Sequence, residues 1–151
     1  EFESKHNLLY WTDQEYWGLG LSAHSYTKTT PWGSRFWNIN SFDLYAQQME
    51  SENDQRGLGS FSAQQIENLD KHQSLTDFCY TSLRLGSGLS VDKLVHKFGN
   101  RTLGLVEKIA APMLEKKLLV AAGGHYLLTE AGIMVSNQIF EKFTFLKDDL
   151  G

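Results

Sequence analysis

The sequence predicts an α+β chain: a short aromatic segment of strands and loops, then a mainly helical, winged-helix-like domain. Three observations carry that reading. All four tryptophans (Trp11, Trp17, Trp32, Trp37) fall in the first 37 residues, and 11 of the 19 aromatics lie within 1–45. Beyond residue 60, apolar residues recur at helical spacing between Ser/Thr caps and glycine stops. Between the two lies Glu50-Ser-Glu-Asn-Asp-Gln-Arg-Gly-Leu-Gly-Ser60, rich in turn formers and with almost nothing to bury. The boundary is therefore placed to give domains 1–58 and 59–151.

Composition removes several classes. The 151 residues are 41% hydrophobic and 21% charged, enough to bury a core and too apolar for a disordered chain. No apolar run reaches the roughly 18 residues of a membrane span. A net charge of −4 argues against non-specific binding of polyanions. The one cysteine, Cys79, excludes an internal disulfide framework, a multi-thiolate zinc site and an iron–sulfur cluster held by this chain alone. Cysteine usage of this kind suits a reducing compartment, the cytoplasm. The chain opens at Glu1 without Met and without the pattern of a signal peptide, and reads as a segment of a longer protein.

The elements follow in order. Asn7 to Trp11 is short, apolar and aromatic, which predicts a strand. Thr12 and Glu15 fit a capping box for one helical turn. Tyr16 to Ser25 reads as a buried strand, with close backbone packing at Gly18 and Gly20. A loop with Pro31 and Gly33 leads on, and Ser41 then starts a helix to about Glu50. Ser62 and Gln65 make a second capping box, before Ile66, Leu69, His72, Thr76, Cys79 and Leu83 at helical spacing. Gly86 and Gly88 stop that helix. Ser90 caps another, ended by Gly99. A third runs from about Leu103 to Lys117, with Pro112 expected to kink or divide it. Leu118 to Leu128 predicts a hairpin turning at Gly123-Gly124. Thr129 caps a last helix.

The chemistry concentrates near the start. His6-Asn-Leu-Leu-Tyr-Trp11 puts an imidazole, an amide and two large aromatics within six residues. An imidazole ligates transition metals or a heme iron, and an indole or phenol can lie against a flat macrocycle. A histidine hydrogen-bonded inside an aromatic core explains the same residues. Gly18-Leu-Gly-Leu-Ser-Ala-His-Ser25 starts like a nucleotide loop but lacks the third glycine and a following helix, so a dinucleotide fingerprint is not expected. Its Ala-His-Ser end suits either a functional strand terminus or a buried strand. Arg35 beside Phe36 and Trp37 suits a carboxylate or propionate ligand, or an ordinary salt bridge. Cys79 reads as core. His72, His96 and His125 have no partners at ligand spacing. No Ser/His/Asp set or carboxylate pair emerges, so no catalytic residue is assigned.

HNLLYW, YWGLGLSAHS and RFWN, in this order and spacing, resemble the latter part of the oxygen-independent coproporphyrinogen III oxidase-like radical S-adenosylmethionine (SAM) proteins. Within that group they resemble the HemW-type heme chaperones. The second segment, with LRLGSGL and LLTEAG, resembles the same family's C-terminal domain. The resemblance implies that 1–58 are the last strand–helix elements of a radical SAM partial barrel. It implies that His6, Asn7, Tyr10 and Trp11 belong to a heme-binding motif. Gly20, Ala23 and His24 would lie near SAM, and Arg35 would be a propionate candidate. Arg35 and Asn38 match the family's R-x-x-N, whose role is not assigned. The whole protein would carry a four-iron, four-sulfur cluster, SAM and heme. The three cysteines of the cluster motif are absent from this chain, which is thus expected to bind none of these cofactors by itself and to be inactive alone.

Three functions emerge from these features. The first is heme binding and delivery to heme-accepting proteins, as part of a chaperone. The second is the corresponding part of a coproporphyrinogen III oxidase of porphyrin biosynthesis, an oxidoreductase. The third is a winged-helix nucleic-acid binder. Residues 86–147 hold 8 basic against 5 acidic residues, with no basic stripe on the candidate recognition helix, so nucleic acid is not an expected partner. HNxxYW and Ala-His-Ser favour the chaperone.

Overall fold

The computed structural model describes residues 8, 10–50 and 65–150. It is a mixed structure of helices and antiparallel sheets, in keeping with the composition and periodicity. The described residues divide into two compact units. One is Gln14–Asp70; the other joins 8 and 10–13 to 71–150. Ser62 and the expected 58/59 boundary lie outside the described residues.

The unit Gln14–Asp70 is built on β1 (His24–Thr27), β2 (Ser34–Trp37) and β3 (Ile66–Asn68), in that spatial order and antiparallel throughout. Barrel strands run parallel, and the described residues of this unit contain no parallel pair. Alternation assigns the two faces. Ser25, Thr27, Ser34 and Phe36 point inward and are buried, with Phe36 fully enclosed. His24, Tyr26, Arg35 and Trp37 alternate to the opposite face. The expected strand from Tyr16 shrinks to a single bridge, Tyr16 to Tyr26, because residues 20–22 turn and only His24 onward pairs continuously. A helix, α1 (Phe42–Glu50), starts just after Ser41, as the sequence predicts.

Helical spacing predicts that Ile66 begins a long helix. It instead belongs to β3, which covers the second edge of β2, and Leu69 N–H continues the ladder to the Gly33 carbonyl at 3.0 Å. Helix α2 (Lys71–Leu83) starts only after Asp70. Ser34 Oγ donates to Asn68 Oδ1 at 2.8 Å, holding the end of β3. Ladder hydrogen bonds here override a helical apolar period.

In the other unit the winged-helix order holds. After α2 come β4 (Leu89–Ser90), α3 (Val91–Phe98), α4 (Asn100–Glu115), β5 (Leu119–Ala122), β6 (His125–Leu128), α5 (Glu130–Met134) and α6 (Ser136–Lys142). The sheet order is β4-β6-β5, so the Gly123-Gly124 hairpin also pairs with the short strand before α3. Ser90 Oγ accepts from Lys93 N–H and Gly99 closes α3, as predicted. Pro112 sits inside α4, on its exposed side, without dividing the helix. The last helix is split at Val135.

The buried interior of this unit draws on most of its elements. Leu75, Phe78, Cys79 and Leu83 of α2 are buried, as are Leu89, Leu94, Phe98, Val106, Ala110, Leu119, Ile139 and Phe140. Phe78 and Phe98 pack edge to face, with ring centroids 5.5 Å apart. Gly132, in the LLTEAG stretch, is required by close approach: a Cβ there would stand 2.0 Å from the Leu118 carbonyl oxygen. That carbonyl also accepts from Thr129 N–H at 3.1 Å, which seats α5 on the start of the hairpin.

Candidate functional site

The HNLLYW stretch is described only in part, because His6 and Asn7 lie outside the described residues. Leu8, Tyr10 and Trp11 are helical, not the strand that short aromatic composition predicts. The cause is local. Thr12 N–H and Thr12 Oγ1–H both donate back to the Leu8 carbonyl, at 3.0 and 2.7 Å, and close a turn. Asp13 then leaves the helix at φ 54°. Thr12 therefore ends a turn where a capping box would have started one. Glu15 Oε1 accepts from Lys28 N–H at 2.6 Å. Tyr10 is 39% exposed and Trp11 half-buried.

Asp13 is fixed in turn. Its Oδ2 accepts from Lys97 Nζ at 2.8 Å, with side chains only 24% and 19% exposed. Lys97 lies in the last turn of α3.

Gly20, Ala23 and His24 fall together at a loop leading into β1. Asn38, at the end of β2, organises it. Its Nδ2 donates to the carbonyls of Gly18 (3.2 Å) and Gly20 (2.8 Å), and its backbone N–H donates to Ala23 O at 3.0 Å. Gly18 N–H donates to Ser25 Oγ at 3.0 Å, and Gly20 N–H to the Tyr45 hydroxyl at 3.1 Å. Gly18 cannot be larger, since a Cβ would come within 2.3 Å of the His24 carbonyl oxygen. The loop is thus pre-formed by three side chains, and its Ala-His-Ser end is exposed at His24 and buried at Ser25.

His24 lies across the ladder from Trp37, rings 5.7 Å apart. Arg35 shares that face of the sheet. Its Nη1 is 3.7 Å from Glu67 Oε2, with both side chains more than a third exposed, a loose ion pair of little energetic weight. Sequence reasoning assigns Asn38 no role and misses Tyr45 and Lys97. A carboxamide just after a strand and beside a glycine-rich loop is a usable signal for Asn38. Nothing local marks Lys97.

The remaining candidates stay apart. Cys79 is fully buried, and burial pushes its thiol well above the usual range, so it is neither thiolate nor exposed ligand. A multi-thiolate cluster does not fit this donor set. His96 is exposed, and His125 Nδ1 lies 2.9 Å from the Gly123 carbonyl. Among the described residues no three His, Cys, Asp or Glu side chains gather at metal-binding distance, and no helix is long and apolar enough to cross a membrane.

Residues 69–135 match the family model described as the HemN C-terminal domain. The chain is 30% identical over 149 residues to the heme chaperone HemW of Lactococcus lactis, covering 99% of this chain and 35% of that protein. It is 26% identical over 141 residues to the heme chaperone HemW of Bacillus subtilis, covering 93% of this chain and 34% of that protein. The chain thus spans about a third of the length of these curated relatives. No solved structure gives a significant match. The similarity to the proteins named heme chaperone HemW extends across both structural units, beyond the HemN-type domain matched at 69–135.

Proposed function

We propose that this chain is the part of a heme chaperone that binds heme for delivery to heme-accepting proteins in the cytoplasm. The observation that carries the reading is the length of the match. Similarity to proteins named heme chaperones covers 149 residues and therefore includes HNLLYW, which lies outside the HemN C-terminal domain match. Heme is cargo here, and it asks for an axial donor, flat apolar walls and a cation near its propionates. His6 would supply the donor, with Asn7, Tyr10 and Trp11 beside it. The Tyr10 ring is exposed enough to meet a planar ligand. Arg35 is the propionate candidate by its chemistry, a guanidinium suited to a carboxylate.

Gly20, Ala23 and His24 would face SAM in the whole protein. Their loop offers a rigid backbone for such a ligand, because Asn38, Ser25 and Tyr45 already satisfy its polar groups. The cluster that would activate SAM requires thiolates this chain does not carry, so no radical step is assigned to it. The nucleic-acid reading finds no support on α4, whose exposed charges are Arg101 and Lys108 against Glu107 and Glu115.

Hemin titration of the whole protein that contains this chain, followed at the Soret band, tests the proposal. His6→Ala is expected to weaken binding tenfold or more, on the order of 1.4 kcal/mol, while His96→Ala leaves it unchanged. No loss from His6→Ala, or equal loss from both, removes the heme assignment.

A further inference from the structure

We infer that Lys97, inside the HemN-type domain, is a positioning residue for heme binding at the Tyr10–Trp11 turn. The inference rests on the heme reading and extends it to a residue far from the motif in sequence. The described end of the turn is closed by the two Thr12 bonds to Leu8 O, at 3.0 and 2.7 Å. Directly after Thr12 the chain enters the left-handed region at Asp13, whose carboxylate is held by Lys97 at 2.8 Å. Both side chains are more than three-quarters shielded, so the pair is screened less than a surface salt bridge. The lysine ammonium also lies 5.4 Å from the Phe98 ring centroid, and Phe98 is buried against Phe78. A continuous path therefore runs from the hydrophobic core through Phe98 and Lys97 to Asp13, two residues past Trp11. A ligand that needs the Tyr10 and Trp11 rings in one orientation binds more tightly when their turn is fixed beforehand.

The test uses the whole protein that contains this chain, and hemin, with Lys97→Ala, Lys97→Arg and, as a control one turn earlier on α3, the exposed Lys93→Ala. Lys97→Ala is expected to weaken hemin binding at least fivefold and to alter the Soret band of the complex. Lys97→Arg, which keeps the charge and reach, is expected to restore most of both, and Lys93→Ala to match the parent sequence. Amide hydrogen exchange without hemin gives a second readout: the Thr12 N–H should exchange faster in Lys97→Ala while the α2 and α4 amides do not. Hemin binding by Lys97→Ala equal to that of the parent sequence overturns the inference, as does an unchanged Thr12 exchange rate. If His6→Ala weakens binding and Lys97→Ala does not, the heme reading stands and the positioning role falls. If His6→Ala has no effect, both fall together.

Discussion

Replacing Asn38 by alanine removes the side chain that holds the Gly18–Gly20 loop, and the structure sets the expected cost. Two hydrogen bonds disappear, to Gly18 O at 3.2 Å and to Gly20 O at 2.8 Å. Each contributes about 1 kcal/mol net in a folded protein. The site is only part-buried, so water replaces some of the lost donors and the full desolvation penalty is not incurred. The backbone bond from Asn38 N–H to Ala23 O survives the substitution. The expected loss is therefore about 2 kcal/mol, a factor of roughly 30 in the folding equilibrium. Asn38→Asp keeps the shape but aims a carboxylate, which only accepts, at two carbonyl oxygens; its loss should exceed that of alanine. Urea unfolding by tryptophan fluorescence is the assay, because Trp17, Trp32 and Trp37 all lie in the same unit as Asn38. With a urea slope of about 1–2 kcal/mol per molar, the Asn38→Ala midpoint should fall by about 1 M or more. A transition superimposable on that of the parent sequence would refute the clamp, and so would an Asn38→Asp variant more stable than Asn38→Ala.

Other changes have equally definite outcomes. Thr129→Ala removes the cap whose hydroxyl accepts from Gly132 N–H at 3.0 Å and donates to Lys117 O at 2.8 Å, and should cost about 1 kcal/mol in thermal unfolding followed by circular dichroism. Ser90→Ala should cost less, since the Ser90 bond to Lys93 N–H is longer, at 3.3 Å. Cys79 should resist a thiol reagent in the native chain and react once per chain in denaturant. Because burial raises its folded pKa, the unfolded thiol ionises first. Its contribution to stability is complete at neutral pH and declines above about 8.5, by about 1.4 kcal/mol per pH unit. A Cys79→Ser variant should lack that alkaline decline.

The helical unit is legible in the sequence because its signals are local and agree with one another. Ser90 and Thr129 cap the helices that their positions predict, and the hairpin turns where two glycines adjoin. Expectation and structure part where another partner outweighs the local pattern. Ile66 and Leu69 carry helical spacing, yet Ile66 pairs with the edge of β2 as a strand and Leu69 N–H bonds the Gly33 carbonyl. Asn7 to Trp11 has strand composition, yet Thr12 folds back on Leu8 and makes its described residues helical. Pro112 reads as a break, but it sits on the exposed side of α4 without dividing the helix.

The candidate site is legible in its residue types and not in what holds them. HNLLYW and GLGLSAHS can be found by inspection, because the chemistry they suggest resides in single side chains. Their support comes from across the chain: Asn38 and Tyr45 reach back 18 and 25 residues to Gly20, and Lys97 reaches 84 residues to Asp13. No window of helical or strand period spans such distances. The same separation explains why an aromatic-rich first segment looks like one functional piece. Tyr10 and Trp11 group with the helical unit, where Asp13 pairs with Lys97, whereas His24 and Arg35 lie in the three-stranded sheet and Gly20 and Ala23 in the loop before it. A substitution in α3 is therefore expected to act on the motif, although composition alone assigns the two to different domains. What holds the two stretches is a property of the fold: Lys97 bonds Asp13, and Asn38 bonds the Gly18 and Gly20 carbonyls, from positions outside both.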